Sequence, residues 1–197
     1  MSSAWEFPTS LNVGGVDYEI RTDYRVVLDL FTALSDPDLT DADERMTAYM
    51  QSKVIMEIMF PDCDNIPMEH WQEALDKVSE FIDMGITEDR KKPKTMDWEQ
   101  DAPILIPAIN KVLNREIRAE KYMHWWTFLG AYMEIGESLF SSVVHIRQKK
   151  AKGKKLEKHE QEFYNENKSL IDFNKVEKRS KEEKDALMDI LYGHKKK

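Results

Sequence analysis

Five histidines and one cysteine are the side chains in this sequence best suited to metal binding or to acid–base and nucleophilic chemistry. None of the histidines stands in a His-Glu-x-x-His motif or follows a glutamate by three residues, which are the spacings of helical zinc and di-iron sites. His159 and Glu162 share one side of a helix, but two ligands do not make a metal site. Cys63 has no neighbouring histidine or basic residue in the sequence to activate its thiol. We therefore expect no metal site, and we interpret His124, beside Trp125, as a hydrogen-bonded residue at a helix start rather than a catalyst.

Four aspartates at positions 36, 38, 41 and 43 resemble the beginning of a calcium loop. A loop that starts at Asp36 would place Asp41 where glycine is needed and Thr47 where the bidentate glutamate belongs. An acidic linker that also caps the next helix is the better interpretation. The glycines form no phosphate-binding fingerprint, and Gly136-Glu137-Ser138 lacks the second glycine of a nucleophile elbow. We expect neither an enzyme nor a cofactor.

A basic run in the second half of the chain is a candidate electrostatic contact. Its members are Arg147, Lys149, Lys150, Lys152, Lys154 and Lys155. Cations at the end of a helix also interact favourably with the helix dipole, so the run does not require an anionic ligand. Gly153 marks a turn, after which several glutamates are expected to fold back against the lysines. Because acidic residues interrupt the basic ones everywhere else, nucleic acid is the least favoured partner.

The chain of 197 residues carries a net charge of −8 that is unevenly distributed. Residues 1–110 contain 9 basic and 23 acidic side chains, whereas residues 111–197 contain 20 and 14. This polarity would let the chain pair with itself or with a similarly polarised partner, so a homo-oligomer is one expectation. No apolar run approaches the roughly 20 residues of a membrane span, and the N-terminus lacks a signal-peptide pattern. A single cysteine suits a reducing compartment.

An aromatic stretch in the second half is predicted to form the core helix on which the rest of the fold packs. Its apolar side chains recur at steps of three and four, which predicts the buried side of a helix. They are Trp125, Phe128, Leu129, Tyr132, Ile135, Leu139, Val143 and Ile146. Trp126 and Met133 lie on the flank of this stripe and are candidate partner contacts. Gly136 leaves two interpretations open, either one long helix or two helices over about 122–135 and 137–151.

The first half is predicted to form a β-hairpin and three helices. Gly14-Gly15 supplies the positive φ values of a two-residue turn between alternating strands. Periodicity and end signals predict the helices over 24–34, about 43–60 and 67–85, with Thr22 or Asp23 as the first cap and Gly85 as the last. The second helix carries a broad, methionine-rich stripe. Its members are Met46, Tyr49, Met50, Lys53, Val54, Met56, Ile58 and Phe60.

A polar hinge over residues 86–97 separates the two halves. Asp101 is predicted to cap the next helix, and a short helix within 156–170 is predicted to return along the bundle. After a polar linker, Ser180-Lys181-Glu182-Glu183 forms a capping box before a short amphipathic helix. Three apolar side chains of this last helix are further candidate partner contacts: Leu187, Met188 and Leu191.

The predicted fold class is therefore mainly α. It is a helical bundle of about six to eight helices with a small N-terminal β-hairpin. Residues 1–173 are assigned to the helical domain, with sub-lobes 1–90 and 97–173 around the hinge. Residues 174–197 are assigned to the linker and the C-terminal helix.

Three segments give the chain a resemblance to a known family. They are Trp98-Glu99-Gln100-Asp101-Ala102, Met123-His124-Trp125-Trp126-Thr127-Phe128-Leu129, and Lys149-Lys150-Ala151-Lys152-Gly153-Lys154-Lys155-Leu156. In these segments the chain resembles the tail-region family of siphophages and Gram-positive prophages known by the "gene product fifteen" name. The likeness covers nearly everything from Val13 to about Asp172.

The resemblance implies a non-enzymatic phage protein encoded among tail genes. The function that it implies first is that of a tail assembly chaperone, which acts in the host cytoplasm and coats the tape-measure protein before the tube polymerises. A structural tail component that stays in the virion is the alternative, and a nucleic-acid-binding or regulatory prophage protein is the second alternative. Under the first two interpretations the partner is the tape-measure protein or another tail protein, and no membrane is involved.

Overall fold

The computed structural model describes residues 5–36, 39, 44–86 and 93–174. In these residues the chain forms one antiparallel hairpin and eight α-helices, which confirms the predicted mainly α class. The elements in order are β1 (Ser10–Val13), β2 (Val16–Glu19), α1 (Tyr24–Leu34), α2 (Glu44–Met59), α3 (Trp71–Ile82), α4 (Ala102–Leu113), α5 (Trp125–Met133), α6 (Leu139–Ala151), α7 (Lys158–Glu166) and α8 (Lys168–Ile171). Short 3-10 turns occur at Cys63–Asn65, Met68–His70 and Ile117–Ala119. Within the described ranges, none of the helices combines the length and apolar character needed to span a membrane.

The hairpin rests on α3 through its turn. Gly14 and Gly15 adopt φ values of +57° and +81°, the left-handed conformation that a two-residue turn requires. The Gly14 N–H donates to Oε2 of Glu73 (3.0 Å), and a Cβ at Gly14 would lie only 2.8 Å from Nε2 of His70. The turn therefore needs glycine for its conformation, and a side chain at position 14 would also have to displace the His70 ring. The predicted hairpin is confirmed.

The start of α1 is tied to two other elements. Asp23 caps the helix, since its Oδ1 accepts from the Arg25 N–H (2.9 Å). Its Oδ2 accepts from the Met123 N–H (3.3 Å), just before α5. The Arg21 N–H donates to the Met59 carbonyl (2.8 Å), so the start of α1 lies beside the end of α2. The two helices are therefore antiparallel neighbours.

Both ends of α3 differ from the sequence prediction. The helix begins only after a 3-10 turn, and it ends at Ile82 with Asp83 as its cap, rather than with the predicted cap Gly85. Met84 is already left-handed, with a φ of +54°. The Gly85 N–H donates back to the Glu80 carbonyl (2.8 Å). Gly85 thus closes the turn that follows the helix.

The aromatic stretch forms two helices with a break over residues 134–138, as one of the two interpretations predicted. Ser138 starts α6, because its hydroxyl accepts from the Ser141 N–H (3.1 Å). This new start shifts the phase of the periodic pattern. Leu139 is therefore 45% exposed and Phe140 takes the buried position. The prediction that Leu139 faces the core is wrong.

Trp125 lies at the centre of the core. Its side chain is fully buried, and its Nε1 donates to the Ile82 carbonyl at the end of α3 (2.8 Å). Phe31, Trp98 and Phe128 surround the indole at centroid distances of 6.0, 6.1 and 5.6 Å. These rings come from both sides of the predicted hinge. The division into two sub-lobes stays a prediction.

Candidate partner-binding surface

The predicted aromatic contacts on α5 have unequal surroundings. Trp126 is half-buried, and its Nε1 donates to the Phe81 carbonyl (2.8 Å) while its ring stacks on the Phe81 ring (6.1 Å). Met133, the last residue of α5, is exposed. The remaining candidates, Leu187, Met188 and Leu191, lie outside the described residues. Trp126 therefore contacts mainly its own chain, and Met133 is available at the surface.

Arg147, the first member of the predicted basic run, is buried. Arg147 and Asp101 are only 4% and 1% exposed and form a bidentate salt bridge. Nη1 donates to Oδ2 of Asp101 at 2.6 Å, and Nη2 donates to Oδ1 at 2.9 Å. Asp101 stands at the start of α4, as predicted. However, its carboxylate makes no capping hydrogen bond, because Arg147 and the Asp97 N–H (2.8 Å) occupy it.

The other donors of Arg147 hold the end of the described chain. Nε donates to the Ile171 carbonyl (2.7 Å) and Nη2 to the Leu170 carbonyl (2.6 Å). The Phe173 ring centroid lies 4.2 Å from the guanidinium carbon, a cation–π distance. These residues, with Asp101, are named the Arg147 clamp. The guanidinium of Arg147 thus forms its ion pair and hydrogen bonds within its own chain.

Lys149 and Lys150 are also paired within the chain. Lys149 donates to Oε1 of Glu160, and this bond, together with the Glu157 N–H (2.7 Å), lowers the pKa of Glu160 to about 2. Lys150 donates to Oδ1 of Asp172 (2.6 Å). The prediction that the acidic segment folds back against the lysines is confirmed.

The other three lysines of the run lie on the surface around the turn between α6 and α7. Lys152, Lys154 and Lys155 are exposed, and no described carboxylate is within ion-pair distance of them. Gly153 makes the turn with a φ of +64°. Of the six candidate electrostatic contacts, these three lysines are therefore the ones that form no ion pair with a described carboxylate.

His124 is the cap of α5, as predicted. Its Nδ1 accepts from the Trp126 N–H (3.1 Å), so Nε2 carries the proton and donates to the Pro8 carbonyl (3.1 Å). Burial lowers the pKa of His124, which favours this neutral form. Both ring nitrogens are engaged by the backbone, so the imidazole has a structural role.

Helix α2 presents exposed apolar side chains on its first half. Met46, Tyr49 and Met50 are 54%, 45% and 39% exposed. They share one side of the helix with Lys53 and Glu57, at steps of three and four residues. These five residues are named the α2 surface. Apolar side chains occupy its first part and the charged pair Lys53 and Glu57 its second part, which suits an amphipathic partner rather than the core.

A groove continues the α2 surface toward α3 and encloses about 180 Å³. Its lining residues are Lys53, Met56, Glu57, Cys63, Asp64, Ile66, Met68 and Trp71. Trp71 forms a fixed apolar wall, because its Nε1 donates to the Ile66 carbonyl (3.2 Å). Met68 is exposed at the rim. The lining also carries the charged side chains of Lys53, Glu57 and Asp64, and Nζ of Lys53 lies 3.6 Å from Oε1 of Glu57. The groove has the size to accept an apolar side chain of a partner, and its lining carries charges of both signs.

Sequence reasoning identified the methionine-rich stripe but did not include its residues among the candidate partner contacts. The available signal was the spacing of Met46 and Met50 with Lys53 and Glu57, because a helix side that carries both charges does not face a core. The sequence carries no such signal for the groove, because the residues that line it come from separate elements. It depends on how the turn around Cys63 packs beside α2.

A family model described as "Bacteriophage Gp15 protein" matches residues 6–173. The matched range spans every element from the hairpin to α8. It includes the α2 surface, its groove and the Arg147 clamp. No curated protein and no solved structure matches the chain.

Proposed function

We propose, from the premise that the chain belongs to the bacteriophage Gp15 family, that this phage protein is a non-enzymatic tail assembly chaperone. It binds the tape-measure protein in the host cytoplasm before the tail tube polymerises, and it leaves before the virion is complete. The observation that carries the proposal is the α2 surface with its groove. That surface presents exposed apolar side chains along one side of a helix, where a helical partner can lie against them.

The chemistry of the α2 surface suits an elongated helical client. Methionine side chains are flexible and polarisable, so Met46 and Met50 can adapt to different apolar residues along a repetitive helix. The 16 residues of α2 extend for about 24 Å, enough to lie beside four turns of a partner helix. The groove at its far end can accept one anchoring apolar side chain. This mode requires an amphipathic helix and no enzymatic chemistry.

The test is co-expression with the tape-measure protein encoded nearby, followed by size-exclusion chromatography with light scattering. We expect the tape-measure protein to become soluble in a complex with several copies of the chaperone. A variant with Met46→Glu and Met50→Glu should lose this complex. Leu139→Glu is the matched control, because it adds a charge at another exposed apolar helical position.

The outcomes separate the chaperone from the structural alternative. If the protein ignores the tape-measure protein and assembles alone into rings that are found in purified virions, it is a structural tail component. If Leu139→Glu abolishes the complex as strongly as the α2 variant does, the α2 surface is not the contact. A tape-measure protein that stays insoluble beside the wild-type chain contradicts the proposal.

A further inference from the structure

Residues 157–173, which contain α7 and α8 and are named the strap, pack on a hydrophobic cluster of their own. Among the described residues, none after Val144 packs in the main core around Trp125. A second buried cluster consists of Val143 and Ile146 on α6 and Ile171 on α8. The partly buried side chains around it are Ile104, Leu156, Phe163, Tyr164 and Leu170. A segment with few buried apolar contacts, separate from the main core, can open at a lower free energy than the whole protein.

Polar contacts hold both ends of the strap on the body of the protein. Near its start, Glu160 accepts from Lys149 of α6. Near its end, Lys150 donates to Oδ1 of Asp172 (2.6 Å), and these two side chains are 39% and 40% exposed. Nε2 of Gln100 donates to the Asp172 carbonyl (2.9 Å). Water competes for an ion pair as exposed as that of Lys150, so it stabilises the closed strap only weakly.

Opening of the strap leaves the salt bridge of Arg147 in place. Arg147 lies on α6, and its bidentate partner Asp101 and the Thr95 carbonyl (3.3 Å) both lie outside the strap. Opening breaks the hydrogen bonds from Arg147 to the carbonyls of Leu170 and Ile171, and water can replace them. No buried charge therefore loses its ionic partner when the strap leaves, which would otherwise make opening costly.

The turn between α6 and the strap can act as the hinge. Gly153 has a φ of +64°, and residues 154–157 belong to neither helix. Lys152, Lys154 and Lys155 are exposed there and lie near no described carboxylate, so no described ion pair at the turn opposes a change of its backbone angles. A rotation at this turn moves the strap and leaves α6 unchanged.

We propose that the strap opens as a unit about the turn at Gly153 while the main core stays folded. Opening uncovers Val143 and Ile146, which are 0% and 3% exposed in the closed form, and frees Lys149 and Lys150 from their carboxylates. The opened form presents an apolar side of α6 flanked by cations, separate from the α2 surface. The inference concerns local opening and does not depend on the proposed function.

Native-state hydrogen exchange of the full chain at low urea concentrations tests the opening. Amides of α7 and α8 should exchange with one common free energy of opening, below that of the amides in α1 and α5. The strap amides should also show a smaller dependence on urea, because opening the strap exposes less surface than global unfolding.

Two valine-to-alanine substitutions separate the strap from the main core. Val27 of α1 and Val143 under the strap are both fully buried. Val27→Ala weakens the main core, which is intact in both the closed and the opened form. It should accelerate exchange in α1 several-fold and leave the rates in α7 and α8 unchanged. Val143→Ala weakens contacts made only in the closed form, so it should accelerate exchange in α7 and α8 several-fold.

Asp172→Asn tests whether the strap moves as one piece. The substitution keeps the shape of the side chain and removes the charge that pairs with Lys150. Exchange in α7 and α8 should accelerate by the same factor, because one opening exposes both helices. Glu162→Gln is the matched control, since it removes an exposed carboxylate of α7 and should leave these rates unchanged.

Two results would overturn the proposal. If Val27→Ala accelerates exchange in α7 and α8 as much as in α1, the molecule unfolds as one unit. If Asp172→Asn accelerates exchange in α8 alone, the chain frays residue by residue and no strap opens. Neither result involves the tape-measure protein, so this proposal and the proposed function can fail independently.

Discussion

The Arg147 clamp and the α2 surface place their side chains in opposite environments. The clamp buries two formal charges, with Arg147 at 4% and Asp101 at 1% exposure. The α2 surface instead leaves Met46, Tyr49 and Met50 exposed, although these side chains would lower the free energy by burial. From residue type alone, the opposite assignment would be expected.

The difference follows from the number of partners each side chain finds within the chain. Every nitrogen of the Arg147 guanidinium donates a hydrogen bond, so burial leaves none of them unsatisfied. The acceptors are the Asp101 carboxylate and the backbone carbonyls of Thr95, Leu170 and Ile171. A buried charge with such complete pairing belongs to the architecture. The exposed methionines have no comparable set of neighbours. In this molecule, exposed apolar residues therefore mark the candidate site better than charged residues do.

Arg147→Met is the substitution with the largest expected effect on this comparison. It leaves the Asp101 carboxylate buried without its partner, which costs about 3–5 kcal/mol in the free energy of unfolding. It also releases the carbonyls of Leu170 and Ile171. Urea unfolding followed by far-UV circular dichroism measures the loss.

The control for this prediction removes both charges at once. Arg147→Met combined with Asp101→Leu should be more stable than the single variant, since no uncompensated charge remains in the core. A single-variant loss below about 1 kcal/mol would mean that water reaches the pair, as in an exposed salt bridge. The clamp would then resemble a surface contact, and the contrast with α2 would disappear.

Glu160→Gln is expected to have a smaller effect that depends on pH. The Lys149 ammonium and the Glu157 N–H hold the pKa of Glu160 at about 2 in the folded protein, against 4.5 for the ordinary group. A lowered pKa stabilises the folded state above pH 4.5, and the contribution is lost as the pH falls toward 2. The stability difference between wild type and Glu160→Gln should therefore be largest near neutral pH and shrink through this range. Glu162→Gln, exposed on the same helix, is the control and should change stability little.

Local sequence signals were sufficient for most of the fold. Gly14-Gly15 fixes its turn through backbone conformation, and Asp23 and His124 cap helices through contacts with the next few residues. These interactions are short in sequence, so residue type and spacing reveal them. The phase error at Leu139 arose where Ser138 restarted a helix within a continuous apolar pattern.

The candidate site could not be predicted in the same way, because its surroundings come from distant parts of the chain. Arg147 and Asp101 are 46 residues apart, and nothing near Arg147 in the sequence indicates that it is buried. The basic run therefore supplied six candidate electrostatic contacts, of which Arg147 is enclosed. The exposure of Met46 and Met50 depends on which side of α2 packs on α1 and α3. Tertiary packing determines which side of α2 is exposed.

Met46→Glu with Met50→Glu should change stability little while it removes binding of the proposed partner. Each substitution at an exposed site is expected to alter the free energy of unfolding by no more than about 0.5 kcal/mol. The first new carboxylate would lie in the first turn of α2, where negative charge is favourable, and the second would lie three residues before Lys53. Urea unfolding checks the stability, and co-expression checks the binding. A large loss of stability would show that these methionines are packed, contrary to their exposure.

Lys154→Glu with Lys155→Glu is expected to have the smallest effect. Both lysines are exposed near other cations and contact no described carboxylate, so charge reversal breaks no described ion pair and reduces local repulsion. Stability and the complex with the tape-measure protein should both be unchanged. A gel-shift assay at several salt concentrations tests the nucleic-acid alternative directly. If the wild type binds DNA with an affinity that falls steeply with salt, and the variant does not bind, the exposed lysines are the functional surface and the α2 surface is not.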